Sequence, residues 1–221
     1  MPGPGLPSDA VQWSVVVPVK RLDMAKSRLY AAGRPRPEHA ALALALALDT
    51  VSAAAASPAV ARVVVVTDDP DAAAAVRAAG AVVVADEPDA GLNPALTHGA
   101  ARAATLAPAD GVALLSADLP ALRPAELSAA LVAGAPYPRS FVADAAGSGT
   151  TLLAAGPGVP PRPGYGRGSA ATHRRSGAVP LTGDWPSLRR DVDTPADLAA
   201  AAVLGLGAAT RAWTSAHAPV A

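Results

Sequence analysis

The chain alternates short β-branched apolar runs with longer alanine-rich segments. Four apolar runs predict buried strands, the last of them more weakly: Ser14–Val19, Arg62–Thr67, Gly111–Ser116 and Ala81–Ala85. The intervening alanine-rich segments are long enough for helices: Glu38–Ala56, Asp71–Ala79 and Pro94–Leu106. Strands that alternate with helices in this way predict a mostly parallel sheet with right-handed crossover connections.

One segment of this pattern is ambiguous. Ala41–Leu48 reads ALALALAL, which alternates with period two as a strand would. We predict a helix, because Ala and Leu are strong helix formers and the segment is long.

The second half of the chain departs from this alternation of strands and helices. Pro124–Ala133 predicts a helix, and Arg139–Asp144 and Thr150–Ala155 predict a strand pair joined by a turn. The proline- and glycine-rich loop Gly156–Gly168 is typical of a functional or disordered segment. The remaining predicted elements are a short basic helix, two short extended pieces and a final helix with Thr194 as its N-cap: Ser169–Ser176, Ala178–Leu181, Arg189–Val192 and Pro195–Leu204. We expect a disordered leader over residues 1–12, one domain over 13–204 and a frayed tail over 205–221.

The composition excludes several classes of function and of site. The 221 residues carry a formal net charge of zero, so no global field draws the chain to nucleic acid or to an anionic membrane. The absence of cysteine excludes disulfides, thiolate catalysis and cysteine-ligated zinc. The longest apolar stretch, Ala40–Leu48, is far shorter than the ~20 residues of a membrane span. The N-terminus lacks a signal-peptide pattern, so we expect a cytoplasmic protein.

Four cations follow the first predicted strand: Lys20, Arg21, Lys26 and Arg28. Ligands of open α/β sheets bind beyond the carboxyl ends of the strands. A loop there with basic side chains and free backbone N–H groups suits a nucleotide triphosphate. The loop has neither the P-loop pattern nor the glycine pattern of dinucleotide binders.

Two groups of carboxylates are candidates for a divalent cation. Asp118 ends the strongest central strand, where magnesium would take one or two carboxylates plus phosphate oxygens; the alternative is that it caps the next helix. Asp191 and Asp193 alternate along a predicted strand, so they share one side and need solvent or a cation between them. The alternative is that Asp193 caps the final helix.

Three further features have a structural and a functional interpretation. The turn Gly147–Thr150 suits either a tight hairpin or an approach to phosphate. The glycines of 164–168 before Ser169 resemble a phosphate nest, with His173, Arg174 and Arg175 one turn later; the sequence alone favours a flexible linker and a solvated basic face. Asn93 either caps a helix or bonds a base or ribose, and Asp68 and Asp69 are candidate helix caps.

In their order, these stretches resemble the CofC/FbiD family, the guanylyltransferases of coenzyme F-420 biosynthesis: VVVPVKRLDMAKSRL, SADLPAL, GSGTTLL and SAATHRRSGAVPLTGDWPSLRRDVDTPADL. The resemblance covers roughly Trp13–Leu204. It implies an α/β fold, a Rossmann-like GT-A type nucleotidyltransferase with a mostly parallel central sheet flanked by helices. It also implies that GTP and a three-carbon phosphoacid condense and release pyrophosphate. RSFVAD, HRRSGAV and RRDVDTPADL resemble the FbiD branch most, which implies phosphoenolpyruvate as the acceptor.

The resemblance also implies roles for individual residues. Thr150, Gly166 and Ser169 would bind phosphoenolpyruvate, and Asp118, Asp191 and Asp193 would hold Mg²⁺. Lys20, Lys26 and Arg28 would face the GTP phosphates and serve catalysis with Asp118, and Asn93 is our further candidate for nucleotide binding.

Three alternatives stay open. The acceptor could be 2-phospho-L-lactate, since both acids carry a carboxylate beside a phosphate ester. The chain could be a molybdopterin or sugar-phosphate nucleotidyltransferase, although those usually have a glycine-rich first loop and PVKRLDMAKSRL has no glycine. It could also be a binding module that has lost turnover.

Overall fold

The computed structural model of the protein describes residues 11–22, 36–87 and 89–217. Seven strands form one sheet in the order β3-β2-β1-β4-β6-β5-β7. They are β1 (Trp13–Pro18), β2 (Val60–Val66), β3 (Val82–Val84), β4 (Gly111–Leu115), β5 (Arg139–Ala143), β6 (Thr150–Ala155) and β7 (Val179–Pro180). Of these seven described strands, only β6 runs antiparallel to its neighbours β4 and β5. The prediction of a mostly parallel sheet is confirmed.

Helices cover both faces of the sheet. They are α1 (Arg36–Ala55), α2 (Pro70–Ala78), α3 (Leu92–Leu106), α4 (Pro124–Gly134), α5 (Ser169–Arg175), α6 (Pro186–Arg189), α7 (Pro195–Leu204) and α8 (Ala208–Ala216). Apolar side chains of α1, α2, α4 and α6 share one core cluster with the sheet, and those of α3 and α5 share the other. The valines of β1 point alternately into the two clusters, which is why this strand is apolar at successive positions.

The ambiguous ALALALAL segment is helical, as predicted, and lies within α1. Ala43 and Ala47 pack toward the sheet, whereas Leu42 and Leu46 pack toward α7 and α8. Because two of its faces are buried, α1 has little polar surface, which explains why it consists largely of Ala and Leu. By length and hydropathy alone, α1 is the one described helix that could cross a membrane, and half of that apolar stretch is buried inside the protein. Core helices of soluble proteins pass the same test.

Two predicted elements are wrong. The expected frayed tail contains α8, whose N-terminal amides at Ala209 and Thr210 donate to the Asp49 carboxylate at 2.9 and 2.8 Å. The expected extended piece Arg189–Val192 is the end of α6 followed by irregular backbone, so Asp191 and Asp193 do not lie on a strand. The leader predicted over residues 1–12 lies, apart from its last two residues, outside the described residues.

Candidate functional site

The carboxyl ends of the parallel strands and the start of β6 meet at one edge of the sheet. Because β6 is antiparallel to β4, the beginning of β6 lies beside Ser116, the residue that follows β4: Ser116 N donates to Thr151 O at 2.9 Å. An open cleft of about 180 Å³ lies at the same edge, beyond β1 and β2 and against the start of α3. Its walls include Lys20, Asp68, Asp86, Asp89 and Gly91. Ligands of such sheets bind at this edge.

Asp118 lies in a loop whose backbone is hydrogen-bonded, just before and just after Asp118, to the Thr50 side chain of α1. Leu119 N donates to Thr50 Oγ1 at 2.9 Å, and this hydroxyl lies 3.2 Å from Ala117 O and 2.9 Å from Leu46 O. Thr50 is fully buried. The N-cap of α4 is Arg123, so Asp118 does not cap the next helix and that alternative is wrong.

The segment of Asp191 and Asp193 is attached directly to this loop. Val192 N donates to Asp118 O at 3.1 Å, and the Val192 side chain is fully buried. Thr194 caps α7 through a reciprocal capping box with Asp197, as the sequence predicts, so the cap is not Asp193.

The Asp191 carboxylate is partly buried among other acidic side chains. Burial, and then the charges of Asp118, Asp193 and Asp144, raise the pKa of Asp191 to about 7. The acids that the sequence proposes as metal ligands are therefore near enough to repel one another in the fold.

Asp144 is a member of this group that sequence reasoning missed. Its carboxylate accepts from Ser148 N at 2.9 Å and Gly149 N at 2.8 Å, which closes the turn between β5 and β6. A Cβ at Gly149 would clash with that carboxylate, so the close approach requires glycine. The sequence feature that could have indicated this role is an aspartate followed by a glycine-bearing turn, because Asp side chains commonly accept hydrogen bonds from backbone N–H groups in turns.

The tightest group of carboxylates lies elsewhere at the edge. In the part of the chain that the structure describes, Asp68, Asp86 and Asp89 are the acids whose oxygens all lie within 4.8 Å of one another. Asp118, Asp191 and Asp193 do not meet that distance, so by themselves they form an open set. Asp69, which the sequence offers as a cap, does cap α2, and its second oxygen accepts from Leu22 N at 2.9 Å.

Thr150 faces α5 because of a bulge. Ala143 pairs with Thr150 and Val142 pairs with Leu152, so Thr151 is an extra residue in β6. Thr150 Oγ1 lies 2.9 Å from His173 Nδ1. The solvated basic face expected around α5 is wrong for His173, which is fully buried, while Arg174 and Arg175 are exposed.

The glycine loop before α5 is attached at several points. The Asn93 side chain makes two hydrogen bonds to the backbone of Tyr165: Tyr165 N donates to Asn93 Oδ1 at 2.8 Å, and Asn93 Nδ2 donates to Tyr165 O at 3.0 Å. Tyr165 Oη donates to Leu114 O at 2.8 Å. Gly91 is the N-cap of α3, so the alternative in which Asn93 caps this helix is wrong. Gly166 has a φ of +136°, which favours glycine, and a Cβ there would meet open space. Ser169 N donates to Gly166 O at 3.1 Å and Ser169 is buried.

The basic loop is described only at its start. Lys20 and Arg21 are exposed after β1, and Lys20 lines the cleft. Lys26 and Arg28 lie outside the described residues. The roles predicted for Lys20, Asn93, Thr150, Gly166 and Ser169 stay predictions, and the structure adds that one edge of the sheet carries them.

Comparison with known proteins matches this arrangement to one family. Residues 21–161 match the family model of the MobA-like NTP transferase domain. The chain is 60% identical to a phosphoenolpyruvate guanylyltransferase of Salinispora arenicola, over 95% of this chain and 96% of the relative. It is 57% identical to one of Geodermatophilus obscurus, over 90% of this chain and 93% of the relative.

Solved structures agree on the fold. A protein of Desulfovibrio desulfuricans described as a nucleotide-diphospho-sugar transferase superposes with a TM-score of 0.60 at 19% identity, covering 85% of each chain. A 4-diphosphocytidyl-2C-methyl-D-erythritol synthase superposes with a TM-score of 0.58 at 15% identity, covering 88% of this chain and 99% of the other. The GT-A-like nucleotidyltransferase fold implied by the sequence is confirmed. The chain belongs to the phosphoenolpyruvate guanylyltransferase family, within the MobA-like NTP transferases.

Proposed function

We propose that this enzyme transfers the guanylyl group of GTP to phosphoenolpyruvate, giving enolpyruvyl-2-diphospho-5'-guanosine and pyrophosphate, as a step of coenzyme F-420 biosynthesis in the cytoplasm. The observation that carries the proposal is the convergence of Asp118 and Asp191 beside the Thr150 edge of the sheet. The names of relatives such as the one at 60% identity support the same activity.

The reaction needs positioning and charge neutralisation more than proton transfer. A phosphate oxygen of phosphoenolpyruvate attacks the α-phosphorus of GTP, a new P–O–P linkage forms, and the bond from that phosphorus to the β-phosphate oxygen breaks. Pyrophosphate leaves with the electron pair. The attacking oxygen is already an anion at neutral pH, so no general base is required, and the barrier is the mutual repulsion of two anionic substrates.

The acidic residues fit a divalent cation. Asp118, Asp191 and Asp193 offer only oxygen ligands. Burial, and then repulsion from the neighbouring acids, raise the pKa of Asp191, as expected for a site that a cation completes. Mg²⁺ commonly takes one or two carboxylates and fills its other positions with water and substrate phosphates, so an open set of acids suits it. When bound, the ion would neutralise charge on the phosphates.

We place the nucleotide in the cleft beside Lys20. Lys20 lines it. Lys26 and Arg28 come six and eight positions later in the sequence and are our further candidates for contact with the phosphates. Asp86 and Asp89 on its wall present carboxylate acceptors, which match the N–H donors of guanine. Asn93 has a second amide hydrogen left for a ligand after its bonds to Tyr165.

The test is a mass-resolved assay of purified protein with GTP, magnesium and one phosphoacid at a time. We expect the diphosphate product and pyrophosphate with phosphoenolpyruvate. Product only with 2-phospho-L-lactate or with a sugar phosphate would overturn the acceptor, and nucleotide binding without product would indicate a binding module.

The same assay tests Asp118 directly. Asp118→Asn keeps the shape of the side chain and removes its charge, so we expect a folded protein whose kcat falls by at least about a hundredfold. Asp184→Asn, at an exposed carboxylate outside the site, is the matched control. Near-normal pyrophosphate release by Asp118→Asn would remove Asp118 from the mechanism.

A further inference from the structure

His173 is a buried histidine that uses both ring nitrogens. It has 0% exposure in the middle of α5. Gly164 N donates to Nε2 at 2.9 Å, so Nε2 carries a lone pair and no proton. The ring proton of the neutral imidazole is then on Nδ1, which lies 2.9 Å from Thr150 Oγ1. The hydrogen-bond network therefore assigns the Nδ1–H tautomer, with His173 donating to Thr150.

The ring is held in place by packing. Tyr165 meets it edge-on with ring centroids 5.2 Å apart, and Phe141 lies on another side at 6.0 Å. Burial, and secondarily the charge of Arg139, lower the pKa of His173 to about 4, so the imidazole is neutral at neutral pH. A neutral, immobile ring gives the two hydrogen bonds a fixed direction.

This arrangement decides what Thr150 can offer a ligand. The threonine hydroxyl accepts from His173, so its own proton points elsewhere and is a donor for an acceptor atom at the site. A hydroxyl that donates in a fixed direction suits an anionic oxygen of a carboxylate or phosphate.

The same ring also fixes the glycine loop. Gly164 is two residues before Gly166, and Ser169 lies one helical turn before His173 on α5. His173 thus connects three separate parts of the chain, β6, the glycine loop and α5, that carry the predicted phosphoenolpyruvate residues. A Cβ at Gly164 would lie 2.8 Å from Thr172 Cγ2 and 3.6 Å from His173 Nε2, so the loop and the helix are in close contact there.

We propose that His173 is a positioning residue for the phosphoacid acceptor: it orients the Thr150 hydroxyl as a donor and holds the glycine loop so that Gly166 and Ser169 face the acceptor's anionic group. The inference rests on the proposed function, because it concerns the acceptor half of that site. It gives His173 no direct contact with the substrate.

Three substitutions separate the two hydrogen bonds. His173→Asn places an amide N–H near the position of Nδ1 and keeps only the donor to Thr150. His173→Gln places a carbonyl near the position of Nε2 and keeps only the acceptor for Gly164. His173→Phe keeps the ring packing and loses both. Ala171→Gln, at an exposed position of the same helix, is the matched control.

We expect His173→Phe to raise the KM for phosphoenolpyruvate about tenfold or more, since it removes two buried hydrogen bonds, while the KM for GTP changes less than about twofold. Asn and Gln should each recover part of this loss. In a Thr150→Val background, His173→Phe should have a smaller effect than in the wild type, because the two residues act as one unit.

A second measurement does not depend on turnover. The ¹⁵N shifts of the His173 ring in the resting protein should show the Nδ1–H tautomer at neutral pH, and the Nε2–H tautomer would overturn the assignment. Equal increases in both KM values, or a lower Tm with unchanged KM values, would assign His173 a purely structural role and overturn the inference. If wild-type protein makes no product with phosphoenolpyruvate, the proposed function itself fails, and the inference falls with it.

Discussion

At the residue scale, the Asp191 carboxylate is distinguished by its acidic neighbours. Ordinary aspartates are ionised well below neutral pH, but burial and the charges of Asp118, Asp193 and Asp144 raise the pKa of Asp191 to about 7. At pH 8 the folded protein holds several like charges near one another, which costs free energy that the unfolded chain does not pay. A bound cation would remove that cost.

A pH dependence follows for the metal-free protein. Between about pH 4 and pH 7 the folded chain holds a proton on Asp191 that the unfolded chain has released, so the free energy of unfolding decreases as the pH rises through this window. We expect the increase in Tm on adding magnesium to be larger at pH 8 than at pH 5.5.

The measurement is thermal unfolding at both pH values with and without magnesium chloride. Asp191→Asn removes the titrating group, so it should stabilise the metal-free protein at pH 8 and lose most of the magnesium effect. An equal increase in Tm with magnesium at both pH values would contradict the assignment of Asp191 as a ligand.

At the scale of elements, α1 supports the site by two adjacent polar residues. Thr50 holds the backbone on both sides of Asp118, and Asp49 caps α8. A single helix thus fixes the Asp118 loop to the core and the C-terminal helix to the domain.

Thr50→Val tests the first of these contacts. The side chain keeps its shape but leaves Leu119 N–H buried without its acceptor, which costs about 1–3 kcal/mol. We expect a Tm several degrees lower and a kcat reduced about tenfold, because the Asp118 loop loses its fixed position. Thermal unfolding and the pyrophosphate assay measure the two effects.

Thr50→Ser is the control, since it keeps the hydroxyl and should retain most of the kcat. A Thr50→Val protein with a lower Tm and an unchanged kcat would show that the position of Asp118 does not depend on this contact.

At the scale of the whole molecule, the C-terminal segment completes the domain. Leu206 and Trp213 pack with Leu42 and Leu46 of α1, in a third apolar cluster. Gly207 N donates to Pro120 O at 2.8 Å, two residues from Asp118, so the segment also contacts the loop of the site.

A chain that ends at Gly205 should therefore unfold at a lower temperature and bind a hydrophobic dye more strongly, since the outer face of α1 becomes exposed. We expect its kcat to fall as well. Val203→Ser, at a side chain that is 88% exposed, is the control for surface change and should leave the Tm within about 1 °C. An unchanged Tm after truncation would show that α8 adds no stability.

Most of the elements, in their order, and most of the chemical groups could be predicted from the chain without the fold; α6 and α8 could not. β-branched runs bounded by turn residues predict strands wherever both faces are buried, and Ala and Leu predict the helix α1 despite its period-two pattern. The basic loop, Asp118 and the Asp191 region are visible because charges stand out at the ends of apolar runs.

Which polar groups form hydrogen bonds with one another could not be predicted before the fold was known. Thr150 and His173 are hydrogen-bonded although they are 23 residues apart in the sequence, and the bulge at Thr151 turns Thr150 toward α5. Leu119 N donates to the Thr50 hydroxyl over a separation of 69 residues. The sequence pattern around α5 favours a solvated basic face, yet His173 is buried, because the sheet order places β5 and the glycine loop against that helix. A local pattern encodes which side of an element is apolar. The partner of a buried hydrogen bond depends on the direction and neighbour of each strand, and these are set by packing over the whole domain.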